Sequence, residues 1–183
     1  MDPIETKRLL LRPIRAEDAQ QIYDCWASDP AVTRFLTWEP HASVADTGKI
    51  VAVWLQEYEK PDCYRYGLEL KATGALIGTI DVVGYHHGNP VIGYASGCAY
   101  WNNGYMTEAL AAFRDRLLAD GHDTLVIEAV AENTGSNRVI EKCGFTFVGS
   151  YQQALSQAKP EPVTVNSYRL WRNGPPADLQ FRP

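Results

Sequence analysis

The chain has 183 residues, 45% hydrophobic and 21% charged, with a net charge of −5. That length supports one domain, taken here as residues 1–183, with a sizeable core, and the composition is that of a globular protein. No apolar run is long enough to span a bilayer, and the acidic balance lacks the basic face that general nucleic-acid binding needs.

In chain order, Thr6 to Arg12 is leucine-rich and bounded by Pro13, which predicts an opening strand. Ala19, Ile22, Tyr23 and Trp26 then recur at helical spacing, and Asp29-Pro30 ends that helix. Ser43, with Asp46 three residues on, opens a second helix whose apolar face is Ile50, Val51, Trp54, Leu55 and Tyr58. Next the period becomes two: Tyr64, Tyr66, Leu68 and Leu70 alternate with polar residues, which places Glu69 on a solvated face. A turn at Ala72 to Ala75 returns the chain through Leu76 to Val83 as a hairpin. A loop around His86 to Pro90 leads to a strand from Val91 to Ala99, where Gly93 and Gly97 predict a bulge or a close approach by a ligand.

Tyr100-Trp101-Asn102-Asn103-Gly104-Tyr105-Met106-Thr107-Glu108 follows that strand and opens an amphipathic helix with Met106, Leu110, Phe113 and Leu117 on one face. A glycine turn entering a helix aims main-chain N–H groups at the positive end of the helix dipole, so an anionic group fits there. Gly121 closes the helix. Leu125 to Val130 is almost continuously apolar, as in a strand covered on both faces. A short helix from about Ser136 to Lys142 stops at Gly144, and Phe145–Val148 and Val163–Trp171 are the last two strands. The sum is a mixed α/β or α+β domain. Cys25, Cys63, Cys98 and Cys143 are widely spaced, so they read as free thiols of a cytoplasmic protein, with no metal site. The first residues carry no signal-peptide pattern.

Three segments carry a resemblance. They are Glu5 to Pro13, then Gly93-Tyr94 followed by Trp101 to Ala109, then Glu132-Asn133-Thr134-Gly135-Ser136-Asn137-Arg138 through Phe145. In this order they resemble the GNAT superfamily of acyl-CoA-dependent N-acetyltransferases, and within it the RimJ/RimL branch, which acetylates protein N-termini and related amines. The superfamily's phosphate loop is usually Gln/Arg-x-x-Gly-x-Gly/Ala. Here Gly104 is kept, while Trp101 and Met106 stand at the ends, a form that the branch often shows.

The resemblance implies a mostly antiparallel twisted sheet, flanked by helices, whose middle strands splay to hold acetyl-CoA. It implies that the N–H groups of Asn103, Gly104, Tyr105, Met106 and Thr107 hold the coenzyme A pyrophosphate, and that Tyr94, Ala95, Ser96, Gly97 and Cys98 run along the pantetheine arm. Asn133 either caps a helix or bonds that arm. Asn137 also belongs to the implied cofactor set, and Arg138 and Lys142 would neutralise the 3′-phosphate. Ser136 would give a proton to the departing thiolate. Asp81, near the expected gap, is the second catalytic candidate. Phe35 and Trp38 belong either to the acceptor-side wall or to the core. His86 and His87 read as surface loop, and Cys98 as packing. The implied reaction is direct attack of a neutral amine, most simply a protein or peptide N-terminal α-amine, on the acetyl thioester. A small-molecule amine, or an inactive acyl-CoA-binding module, is the alternative. The protein would act as a monomer or homodimer.

Overall fold

The computed structural model describes residues 1–175; the rest of the expected 1–183 domain lies outside them. Eight strands form one sheet in the order β1-β2-β3-β4-β5-β6-β8-β7. They are β1 (Ile4–Glu5), β2 (Leu9–Arg12), β3 (Arg65–Leu70), β4 (Leu76–His86), β5 (Asn89–Ser96), β6 (Thr124–Val130), β7 (Thr146–Ala154) and β8 (Pro162–Trp171). Every neighbouring pair is antiparallel except β5 and β6.

One face carries α4 (Tyr105–Ala119) and α5 (Thr134–Lys142). Helical spacing puts Ala109, Leu110, Phe113 and Leu117 on one stripe, and that stripe is buried against Leu9, Leu11, Tyr66, Leu68 and Ile80. Each such side chain, once buried, contributes about 1.5–3 kcal/mol. The end of α4 follows from Gly121 at φ 103°, where the N–H groups of Gly121 and His122 donate to Leu118 and Leu117 carbonyls.

The other face carries α1 (Ala19–Ile22, continued by a π turn over Tyr23–Ala27), α2 (Pro30–Thr33) and α3 (Val44–Glu57). Ile22, Trp26 and Val51 pack there on Ile14, Leu76 and Ala95. Asp29 does end the first helix, and it also caps α2, since its side chain accepts from the Ala31 N–H. Ser43 caps α3 as expected. Ile50 is exposed rather than part of the α3 apolar face.

Three further differences have physical causes. The expected loop at His86–Pro90 is a two-residue turn, His87-Gly88, with φ of 50° and 79°, so β4 and β5 pair as far as His86 and Asn89. Glu69 is not solvated: it accepts from Arg12 Nε at 2.5 Å, while Arg12 also grips Asp18 at 2.7 and 2.9 Å. Arg12 and Asp18 are both buried, and a buried guanidinium needs both carboxylates. β7 runs on to Ala154, beyond the expected Val148, because β8 pairs with it along its whole length.

Candidate active site

The site begins where β5 and β6 part. Val91 pairs with Val126 and Ile92 with Ile127, and no pair follows. Beyond Ile92, β5 is held only by β4, and beyond Ile127, β6 only by β8. The Gly97 N–H donates to the Ile77 carbonyl, so by the alternation of an antiparallel ladder the main chain of Tyr94 and Ser96 faces the gap. The Ser96 carbonyl is taken by the Trp101 indole N–H at 2.9 Å. Tyr94 is thus left with an open N–H and C=O along the gap.

Beyond the tip of β5, α4 opens on Gly104 at φ 75°, ψ 7°, and Asn102 is also left-handed at φ 60°. Such a turn collects successive N–H groups around one concavity. The caps separate this helix from α2, α3 and α5. Asp29, Ser43 and Asn133 each cap a helix with a side chain, whereas no side chain caps α4. The N–H groups of Tyr105, Met106 and Thr107 are therefore presented bare at the positive end of a 15-residue helix. Met106 packs its side chain on the core, away from crowding that end.

Sequence reading missed Arg8 here. Its guanidinium donates to the Asn103 carbonyl at 2.9 Å and to Glu108 at 2.6 Å, and lies 4.4 Å from the Tyr105 ring centroid. It braces the turn and adds positive charge beside it. Burial works against the Glu108 carboxylate, but bonds from Thr6, the Arg8 N–H and the Arg8 side chain outweigh it and hold its pKa below the usual range. The signal was the Thr6-Lys7-Arg8 segment, read only as a strand.

On the β6 side, Asn133 accepts from the Ser136 N–H at 3.2 Å and so caps α5; its amide Nδ2 makes no bond among the described residues. Ser136 Oγ lies 2.8 Å from Tyr94 Oη, which also donates to the Ser136 carbonyl at 3.3 Å. Burial pushes the Tyr94 phenol pKa up, so it stays protonated. Three of the candidate residues have structural partners of their own. The Asn137 Nδ2 donates to Val130 and Asn133 carbonyls, and its Oδ1 accepts from Asn166 and Tyr168, so its side chain is saturated. Gly97 admits the protein itself, because a Cβ there would meet the Cys25 carbonyl and Sγ at 2.6 Å. The Cys98 thiol donates to Asp29 at 3.2 Å. Arg138 and Lys142 are exposed and form no ion pair among the described residues.

The register also builds a row across the helix α1–α3 face. Arg65 stands opposite Asp81, and Asp81 opposite Gly93. One residue past the last β5–β6 pair, Gly93 on one strand answers Glu128 on the other; Glu128 stands opposite Ser167, and Ser167 opposite Gly149. Ile92 and Ile127 belong to the α4–α5 core, so this row lies on the opposite face. Asp81 is paired with Arg65 at 2.9 Å, and Arg65 is shared with Glu57. Burial pushes the Asp81 pKa up, and Arg65 pulls it back. Glu128 is held differently: it accepts from the hydroxyls of Tyr151 at 2.9 Å and Ser167 at 3.2 Å. Two acceptor sites of its carboxylate remain for another donor. Glu128 was missed because Leu125 to Val130 reads as an apolar strand. The one charge inside that run was the available signal.

The His86 ring stands 3.3 Å from Arg169. Among the described residues no cluster of His, Cys, Asp and Glu fits a metal ion, and no helix is long and apolar enough to cross a membrane.

The parted strands and the uncapped helix are what the family comparison meets: residues 8–146 match the Acetyltransferase (GNAT) domain. The chain belongs to the GNAT acetyltransferase family. It is 29% identical over 177 residues to the uncharacterized N-acetyltransferase YoaA of Bacillus subtilis, covering 91% of this chain and 95% of that protein. Among solved structures, a GNAT acetyltransferase from Bacillus anthracis superposes with a TM-score of 0.81 at 22% identity, covering 94% of this chain and all of that one. The ribosomal L7/L12 alpha-N-protein acetyltransferase RimL, in complex with coenzyme A, gives 0.81 at 20% identity, over 93% and 98% of the two chains. These likenesses establish the fold, and with the family match they make this chain an N-acetyltransferase.

Proposed function

We propose that this acetyltransferase uses acetyl-CoA and acts on the N-terminal α-amine of a protein or peptide. The observation that carries the reading is the division of the gap. On one side lie bare main-chain donors suited to a pyrophosphate and a pantetheine arm. On the other lies one carboxylate, Glu128, held by hydroxyls and with acceptor capacity to spare. The described residues fit coenzyme A: the left-handed Gly104 leaves an open helix terminus, and Tyr94 leaves an open strand edge.

Acetyl-CoA supplies an activated acetyl thioester. The N–H groups of Asn103 to Thr107 bind the pyrophosphate, with Arg8 behind them. The Tyr94 main chain and Asn133 Nδ2 hold the arm, and Arg138 and Lys142 answer the 3′-phosphate. Glu128 accepts the proton that the amine loses as its nitrogen forms the new C–N bond. As the C–S bond breaks, the Ser136 hydroxyl, held by Tyr94, donates a hydrogen bond to the sulfur. With a thiol pKa near 8.5 against a phenol near 10 or above, and an alcohol weaker still as an acid, neither hydroxyl transfers its proton outright; the Tyr94–Ser136 pair stabilises the departing thiolate by hydrogen bonding. Asp81, tied to Arg65, forms part of the wall beside Gly93.

The choice of acceptor follows from cost. Deprotonating an α-amine of pKa 7.7–8.0 at pH 7 takes about 1–1.4 kcal/mol, and a lysine near 10.4 about 4.6 kcal/mol. A single carboxylate supported by two hydroxyls suits the smaller task. RimL, described as an alpha-N-protein acetyltransferase, supports the same reading. The test is thiol release with acetyl-CoA against peptide N-termini, lysines and small amines. Turnover concentrated on peptide N-termini is expected, and preference for polyamines, amino acids or aminoglycosides would replace it with the small-amine reading.

A further inference from the structure

Residues 29–38, containing α2, form a strap across the open end of the gap. At its start, Asp29 receives the Cys98 thiol just past the end of β5. Further on, Arg34 reaches Glu132, just past the end of β6, at 3.7 Å. The strap therefore touches both diverging strands where they stand apart. Both contacts are weak: one uses a thiol, and the other joins two well-exposed side chains.

Val32, Leu36 and Trp38 of the strap pack on the core, and its main chain has a further polar attachment. Lys159, in the turn between β7 and β8, sends its ammonium into the strap and donates to the carbonyls of Thr33 at 2.6 Å, Trp38 at 2.9 Å and Leu36 at 3.0 Å. Glu39 stands 3.8 Å away. An ammonium has three donors, and here all three are used on main-chain carbonyls at and beyond the end of α2. Charged hydrogen bonds are the stronger kind, and the side chain is only 18% exposed. The turn is itself closed by mutual Ser156–Lys159 main-chain bonds, so the lysine is presented from a rigid base.

We infer that Lys159 is a positioning residue that clamps the strap over the acceptor side of the gap and so determines which amines enter. The inference rests on the acetyltransferase reading above. With the clamp closed, the acceptor reaches Glu128 between the strap and the sheet, which favours a slim, extended chain end. With it open, the strap keeps the Cys98 and Glu132 contacts and the core packing of Val32, Leu36 and Trp38 but loses the hold on its main chain at residues 33–38, and selection between chain ends and compact amines is lost. The donor side does not feel the change, because no Lys159 contact reaches Gly104 or Tyr94.

The experiment compares wild type, Lys159→Met and Lys159→Gln, each first shown to be folded by thermal melting. KM is measured separately for acetyl-CoA and for a peptide acceptor, with a small amine as competitor, and hydrogen exchange is followed at the amides of residues 34–38. For Lys159→Met we expect an acceptor KM raised about tenfold, as losing charged hydrogen bonds predicts. The acetyl-CoA KM should hold, the preference for peptide over small amine should shrink, and strap amides should exchange faster. Lys159→Gln, keeping two N–H donors, falls between. An unchanged acceptor KM and preference in a folded variant overturns the inference, as does an equal rise in both KM values. If wild type acetylates no amine, the functional reading fails instead, and unchanged strap exchange then overturns the clamp as well.

Discussion

The two sides of the gap are built from different materials. The proposed donor side is mostly main chain: a left-handed glycine, bare helix amides and an open strand edge. The acceptor side is side chains brought together by register: Asp81 on β4, Glu128 on β6, Ser167 on β8 and Tyr151 on β7. Main chain can recognise a donor common to a whole family while side chains change around it. On the proposed acceptor side the side chains carry the chemistry, so a single substitution acts there most strongly.

The largest expected effect therefore lies on the acceptor side. Glu128→Gln should lower kcat/KM by about 10²–10⁴, the usual worth of a positioned base, with acetyl-CoA affinity kept. Steady-state kinetics with both substrates checks it, and a loss of less than about threefold would remove Glu128 from the chemistry. Next comes Gly104→Val, which puts a branched side chain at φ 75°, where L residues are strained, and its Cβ 3.5 Å from Arg8. We expect acetyl-CoA KM to rise about tenfold or more with acceptor KM held, measured against an acetyl-CoA titration of thermal stability. Ser136→Ala and Tyr94→Phe should each lower kcat several-fold, about 1 kcal/mol for a neutral hydrogen bond, without moving acetyl-CoA affinity. A double variant no worse than either single one would show that the two hydroxyls act as one unit.

Smaller still is the effect of pH on the donor side. The folded pKa of Glu108 is depressed, so its contribution is present above the unfolded value, near 4.3, and is lost as pH falls through the folded value. Thermal stability should drop more steeply with acid in wild type than in Glu108→Gln. The smallest effect belongs to Ser156, whose Oγ is buried without a partner among the described residues. Ser156→Ala should leave melting temperature unchanged or raise it, since it removes an unsatisfied group. If Arg138→Ala or Lys142→Ala abolished acetyl-CoA binding, the division into main-chain and side-chain halves would break.

The same division decided what could be read from sequence. Trp101 to Leu110 is contiguous, so the glycine turn, the amphipathic stripe and Gly121 all announced themselves locally. Asn133 and Ser136 are three residues apart on one helix start, and their neighbourhood was legible for the same reason. Glu128 was not, because its meaning depends on where β5 and β6 stop pairing, and no spacing along the chain states that. Lys159 lies 121 residues from Trp38 and 126 from Thr33, beyond any local pattern. Asn137 misled in the opposite direction. It stands beside functional residues, yet the core around Tyr168 uses up its side chain.

The central claim is that this acetyltransferase prefers an α-amine. The most direct measurement offers it one peptide carrying both a free N-terminus and an internal lysine, with acetyl-CoA at pH 7, and locates the acetyl group by fragment mass spectrometry. The account predicts acetylation at the N-terminal amine and not at the lysine. Acetyl found on the lysine, with the N-terminus untouched, would contradict it.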